Sequence, residues 1–143
     1  MELNVDVKQV EGLALVGRTG SGHWVPMDTK SDVGGKDGAA TPMELLLLGL
    51  CGCTAMDVIS ILDSMKEPCK QVSVSAVAQR AEKAPKKFTN IAVKYSFLPK
   101  SGGTVSEKNL EKAIKMSKER YCAVYASLDK DIEVVSEYEI LEE

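Results

Sequence analysis

The chain has 143 residues, 44% of them apolar and 27% charged, which suits one domain (residues 1–143) with a core of its own. With 18 basic and 21 acidic residues the formal net charge is −3, which excludes the broad basic footprint of a nucleic-acid binder. The longest apolar run, residues 45–56, falls short of the ~18 residues a membrane span needs, so no membrane role is expected.

The opening "MELNVDVKQV" alternates apolar and polar residues and carries no hydrophobic leader core. A cytoplasmic setting is therefore expected, where four cysteines stay reduced unless they do redox chemistry. "LNVDV" (3–7) and "LALVGRT" (13–19) read as strands around a turn at Glu11-Gly12. "HWVPMD" (23–28) reads as a third short strand that Pro26 confines to an edge or its end. "TKSDVGGKDGAA" (29–40) is the longest flexible stretch, and loops of that size are often functional.

"TPMELLLLGL" then starts a helix in the clearest terms. Thr41 is the N-cap, Pro42 takes the first helical position, and Glu44 completes a capping box. The helix is expected to run to about Met65, roughly 36 Å at ~1.5 Å per residue. It is apolar on nearly every side, so burial all round is expected. "QVSVSAVAQ" (71–79) and "FTNIAVKYSFL" (88–98) are two long strands, joined by the basic turn "RAEKAPKK" (80–87). "SEKNLEKAIKMSKERYC" (106–122) is an amphipathic helix with Leu110, Ala113, Ile114, Ser117 and Tyr121 on one stripe. A short apolar turn, "AVYASL", leads to a last strand over 132–140. The order βββ-α-ββ-α-β predicts an α+β fold, antiparallel sheets around a long buried central helix.

The cysteines carry the chemistry. Cys51 and Cys53 lie two residues apart, roughly on opposite sides of the helix, so they neither bridge each other nor share a metal. Zinc-type C-x-x-C spacing is absent, and His23 is the single histidine. The two are separate thiols. Cys53 lines up with Asp57, Ser60 and Ser64, the polar stripe of the helix, whereas Cys51 neighbours Leu47, Leu48 and Ala55 in a packing environment. Two inert buried cysteines would satisfy the same pattern. Cys122, at the end of the second helix, is the best partner for a working Cys53, and Cys69 reads as a surface or packing residue. A buried thiol one turn from Asp57 resists ionisation and needs a fixed cation. Arg18 ends an apolar strand and can either point inward as that cation or lie in solvent.

Three segments together resemble the OsmC/Ohr family of thiol-dependent hydroperoxide reductases. "TPMELLLLGLCGCTAMDVISIL" resembles the family's proline, acid and leucine-rich helix leading to a cysteine eleven residues after the proline, which lands on Cys53. "KERYCAVYASL" resembles the segment of the second cysteine, Cys122, and "GRTGSGH" that of the strand-end arginine, Arg18. Glu44 is carried over as the arginine's acid partner, one place later than in the organic-hydroperoxide branch, where the acid follows the proline directly. Ala123 stands where the family often has proline, and "GCTAMDV" and "YCAV" look closer to a less characterised branch.

The resemblance implies an intertwined homodimer with two interface sites. It implies reduction of organic or inorganic hydroperoxides by Cys53 and Cys122 in oxidative-stress defence, with Arg18 holding the thiolate. A dithiol reductant restores the pair, and neither metal nor flavin is needed. Two other readings of the residues stay open, a small-molecule binding or redox-sensing dimer with little turnover, and a structural dimer with inert cysteines.

Overall fold

A computed structural model of the protein describes residues 1–142 and shows an α+β architecture of two three-stranded sheets and one long helix. Two compact units divide the chain, Met1–Leu48 and Gly49 onward.

In the first unit, β1 (Val5–Glu11), β2 (Ala14–Thr19) and β3 (Trp24–Met27) form an antiparallel meander. β1 extends beyond the expected 3–7 because its pairing with β2 continues to Glu11↔Ala14, where Gly12 takes a left-handed φ of +58° in the turn. Every residue of β1 is exposed. The loop expected over 29–40 is not a loose tether. Buried Asp28 accepts from the backbone N–H groups of Thr29 (2.7 Å), Gly38 (3.1 Å) and Lys36 (3.3 Å) and gathers the loop around one carboxylate. Those donors hold the Asp28 carboxyl below the usual range.

The helix α1 (Pro42–Ser64) begins as its sequence dictates. Thr41 N–H donates to Glu44 Oε1 at 2.9 Å and Glu44 N–H to Thr41 Oγ1 at 3.2 Å, a closed capping box. Within one chain the helix is buried along one side. Leu50, Thr54, Val58, Ile61 and Leu62 form one buried stripe, while Leu46, Leu48, Met56 and Ile59 are exposed, because one chain supplies partners for a single stripe. The helix that forms has 23 residues and an 18-residue stretch of mean hydropathy 2.2, long and apolar enough by composition to cross a membrane, a property that core helices share.

In the second unit, β4 (Cys69–Arg80) pairs antiparallel with β5 (Phe88–Pro99), and β6 (Glu133–Ile140) pairs parallel with β5. The parallel strand corrects the expectation of wholly antiparallel sheets. The crossover through α2 (Glu107–Met116) and α3 (Ala123–Ser127) is long enough to return β6 alongside β5 in the same direction. Alternation along β5 turns Ile91, Val93, Tyr95 and Phe97 to a covered face, where they meet the buried stripe of α1 and Leu110, Ala113 and Ile114 of α2 in one core. Across the opposite face runs the row Val77–Ala92–Val135, with Val77 and Val135 exposed.

The second helix does not run unbroken to residue 122. Ser106 caps α2, its Oγ accepting from Asn109 N–H, and after Met116 the chain widens into one π turn, Ser117–Tyr121. Cys122 N–H closes it on Ser117 O at 2.8 Å, an i to i+5 bond. The extra residue keeps Ser117 buried but rotates Tyr121 off the expected stripe to 53% exposure.

Candidate functional site

The site grows from two places in the second unit. On α1, Cys53 and Asp57 are four residues apart and share a face. After the π turn, Cys122 leaves helical geometry (φ −70°, ψ 99°) to become the N-cap of α3, its Sγ accepting from Tyr125 N–H at 3.4 Å. The π turn aims this thiol back at α1. Cys53 Sγ, Cys122 Sγ and an Asp57 carboxylate oxygen all lie within 4.8 Å of one another. Cys122 is 3% exposed and Cys53 half-buried.

Behind Asp57 runs a row of buried hydroxyls. Ser117 Oγ donates to Asp57 Oδ2 at 2.9 Å, Thr54 Oγ1 lies 2.7 Å from Ser117 Oγ, and Tyr95 OH lies 2.7 Å from Thr54 Oγ1. Each hydroxyl has one proton, and a carboxylate only accepts. With the Ser117 proton committed to Asp57, Thr54 must donate to Ser117 and Tyr95 to Thr54. Every O–H in the row therefore points toward the carboxylate, an arrangement in which each bond polarises the next. Burial pushes the Tyr95 phenol up against the opposing pull of its Thr54 hydrogen bond, so it keeps the proton this order needs.

Burial pushes Cys122 up to about 11, with Cys53 and the Asp57 carboxylate adding to the rise and the Tyr125 N–H opposing it. Cys122 is therefore a neutral thiol at neutral pH. Beside Asp57, a groove of about 370 Å³ is lined by Ser60, Ile61, Ser64, Met65, Lys112, Met116 and Tyr121, and it gives solvent access to the carboxylate end of the site.

The chain matches the model of the family described as OsmC-like protein over residues 35–137. It is 34% identical over 135 residues to Protein YhfA of Escherichia coli (strain K12), covering 94% of this chain and 96% of that one. This chain belongs to the OsmC-like protein family. Among solved structures it resembles a hypothetical protein from Aquifex aeolicus VF5 at 28% identity, with 99% of each chain covered and a TM-score of 0.80. It also resembles an organic hydroperoxide resistance protein from Elizabethkingia anophelis at 14% identity, with 99% of this chain and 97% of that chain covered and a TM-score of 0.76. The last likeness is one of fold.

Of the residues singled out in the OsmC-like sequence, Cys53 and Cys122 come together. Cys51 stands outside that cluster, half-buried, with burial pushing its thiol up. Cys69 begins β4, where burial and Glu67 push its thiol up. Arg18 and Glu44 belong to the first unit. Arg18 is exposed on β2, opposite Trp24 of β3, its guanidinium 5.3 Å from the indole centroid. Glu44 is exposed and engaged in the capping box, and the Thr41 N–H holds its carboxyl below the usual range.

Asp57 as a member of the site, and the Ser117–Thr54–Tyr95 row, were not foreseen. The i, i+4 spacing of Cys53 and Asp57 is a visible signal, because it places thiol and carboxylate on one helix face. Ser117 stands on the apolar stripe of the second helix, but nothing local says that it meets Asp57 or that Tyr95 joins Thr54, contacts made across 60 and 41 residues of sequence.

Proposed function

We propose that this protein reduces hydroperoxides with a cysteine pair, Cys53 attacking and Cys122 resolving. The observation that carries this is the approach of the two sulfurs to within 4.8 Å, together with membership of a family whose fold is shared by a protein named for organic hydroperoxide resistance. The neutral, 3%-exposed Cys122 is poorly suited to attack, which leaves that role to the more accessible Cys53.

The Cys53 thiolate attacks one peroxide oxygen, the O–O bond breaks, and the alkoxide leaves and takes up a proton as the alcohol. The resulting sulfenic acid condenses with the Cys122 thiol, releasing water and forming a disulfide. A dithiol reductant then exchanges with that disulfide, restoring both thiols and leaving oxidised. The sulfurs must close from within 4.8 Å to the ~2 Å of a disulfide bond.

In this scheme Arg18 is the fixed cation that holds the Cys53 thiolate, and Glu44 the acid that orients it. A guanidinium stays charged when desolvated, and its fork suits a sulfur and a peroxide oxygen together. The assembly is a homodimer. Support comes from the apolar surface one chain leaves open, Met56 and Ile59 on α1 and Val77 and Val135 on the second sheet.

The deciding experiment treats the reduced protein with one equivalent of hydroperoxide and maps disulfides by peptide mass spectrometry, alongside peroxide consumption with a dithiol. A Cys53–Cys122 disulfide with Cys51 and Cys69 free is expected. A dominant Cys51–Cys53 or Cys69-containing disulfide, or no turnover, overturns the assignment. Light scattering tests the dimer, which a folded, active monomer at micromolar concentration would refute.

A further inference from the structure

We propose that the reduced protein binds one thiophilic divalent cation, of the zinc type, through Cys53 Sγ, Cys122 Sγ and the Asp57 carboxylate. Among the described residues these three donor atoms converge to within 4.8 Å of one another. A tetrahedral zinc ion with two sulfurs at ~2.3 Å and an oxygen at ~2.0–2.2 Å brings its ligands about 3.5–3.8 Å apart. The cluster therefore needs to contract by no more than about an ångström to close on an ion.

The donor set and its surroundings suit such an ion. Cys53 and Asp57 at i and i+4 on a rigid helix present two ligands side by side, and Cys122 supplies a third from α3. Two soft thiolates select zinc, cadmium or cobalt over magnesium and calcium. The ligands are also held from behind. Ser117 Oγ donates to Asp57 Oδ2, which fixes the carboxylate's orientation, and Tyr125 N–H donates to Cys122 Sγ, a contact that favours the thiolate. Three protein ligands leave the fourth position of a tetrahedron open to water.

Both sulfurs bind as thiolates, so binding sends the Cys122 proton to solvent. The Cys53–Cys122 disulfide consumes both sulfur donors, so metal and disulfide exclude each other. Oxidation of the two bound thiolates by hydroperoxide, with two protons taken from solvent, yields the disulfide, the alcohol and water and frees the ion. Binding itself requires no turnover and so goes beyond the peroxidase reading; only its release by peroxide rests on that reading.

The test is anaerobic titration of the phosphine-reduced, metal-free protein with Co²⁺, read by the thiolate-to-cobalt charge-transfer absorption. One equivalent is expected, displaced by Zn²⁺. The band should vanish in Cys53→Ser and Cys122→Ser, weaken at least tenfold in affinity in Asp57→Asn, and weaken about tenfold in Ser117→Ala. Cys51→Ser should match wild type. Diamide-oxidised wild type with its disulfide confirmed should lose the band and regain it on phosphine reduction, which keeps the test independent of how the variants fold. No stoichiometric band in reduced wild type, or a band lost in Cys51→Ser but kept in Cys122→Ser, overturns the proposal. Peroxide consumption measured with a chelator present separates the two ideas. Cobalt binding without turnover sinks only the peroxidase, and turnover without cobalt binding sinks only the metal site.

Discussion

Ser117 donates from Oγ to the Asp57 carboxylate at 2.9 Å, and this bond sets the direction of every proton in the buried row behind it. The row ties α1, the π turn and β5 together at the cysteine pair.

Breaking the row in the middle should be costly. Thr54→Val keeps the shape but strips Ser117 of a donor and Tyr95 of an acceptor, at about 1–3 kcal/mol. Adding Tyr95→Phe should cost less than Tyr95→Phe alone, because the phenol has already lost its Thr54 partner and keeps only Ser136. Urea midpoints of the two single variants and the double variant measure this, and fully additive losses would contradict it.

Titration of Cys122 should be displaced to high pH. Burial first, then Cys53 and Asp57, push the thiol up to about 11 from an ordinary value of 9.0. Native-state alkylation of Cys122, read by peptide mass spectrometry, should stay slow at neutral pH and reach half its maximum near pH 11. Asp57→Asn should lower that midpoint, since one negative charge is removed. The folded state holds this proton more tightly than the unfolded chain. Its contribution is therefore intact below pH ~9 and is lost as pH rises from there through about 11. An alkylation midpoint at or below 9 refutes the shift.

The activation scheme stands or falls on Arg18. Arg18→Ala should slow Cys53 oxidation at pH 7 tenfold or more, since one pKa unit is ~1.4 kcal/mol and a tenfold change in thiolate. Raising the pH should restore part of the rate, and Arg18→Lys should rescue little, lacking the two-pronged geometry. Rates in a pH series that match wild type would make Arg18 a surface residue and remove it from the scheme.

Glu44 has two assignments that acid titration can separate. Its capping bond depresses its folded pKa, so the stability it supplies is present above its ordinary value of 4.5 and lost as pH falls through the lowered one. Glu44→Gln should flatten the acid limb of the stability curve. Thr41→Ala should cost about 1 kcal/mol at neutral pH. If Glu44 also orients Arg18, peroxide turnover should fall in Glu44→Gln and survive in Thr41→Ala. Equal turnover in both would confine Glu44 to the cap.

The loop over 29–40 should be sensitive at Asp28 and Gly35. A Cβ at Gly35 would fall 2.1 Å from Thr29 O, a backbone atom that cannot step aside, and Asp28→Ala removes the acceptor for three N–H groups. Both Gly35→Ala and Asp28→Ala should open this segment to limited proteolysis under conditions where wild type resists. Unchanged cleavage would show the loop does not depend on these contacts.

Much of this protein was legible where neighbours in sequence decide the structure. The start of α1 follows from Thr41, Pro42 and Glu44, because a capping box is closed within four residues. The separation of Cys51 from Cys53 follows from the ~100° step of a helix, and the alternation along β4 and β5 from the two-residue period of a strand. Three features were decided only in three dimensions. The parallel seating of β6 depends on how the crossover packs, not on the strand's own residues. The π turn at Ser117–Tyr121 satisfies Cys122 N–H at Ser117 O and turns the thiol toward Cys53, a choice that helix propensity alone does not make. The hydroxyl row exists because Thr54, Tyr95 and Ser117 are buried together, where each polar group needs a partner; a pattern of apolar and polar letters records burial but not which buried groups will meet.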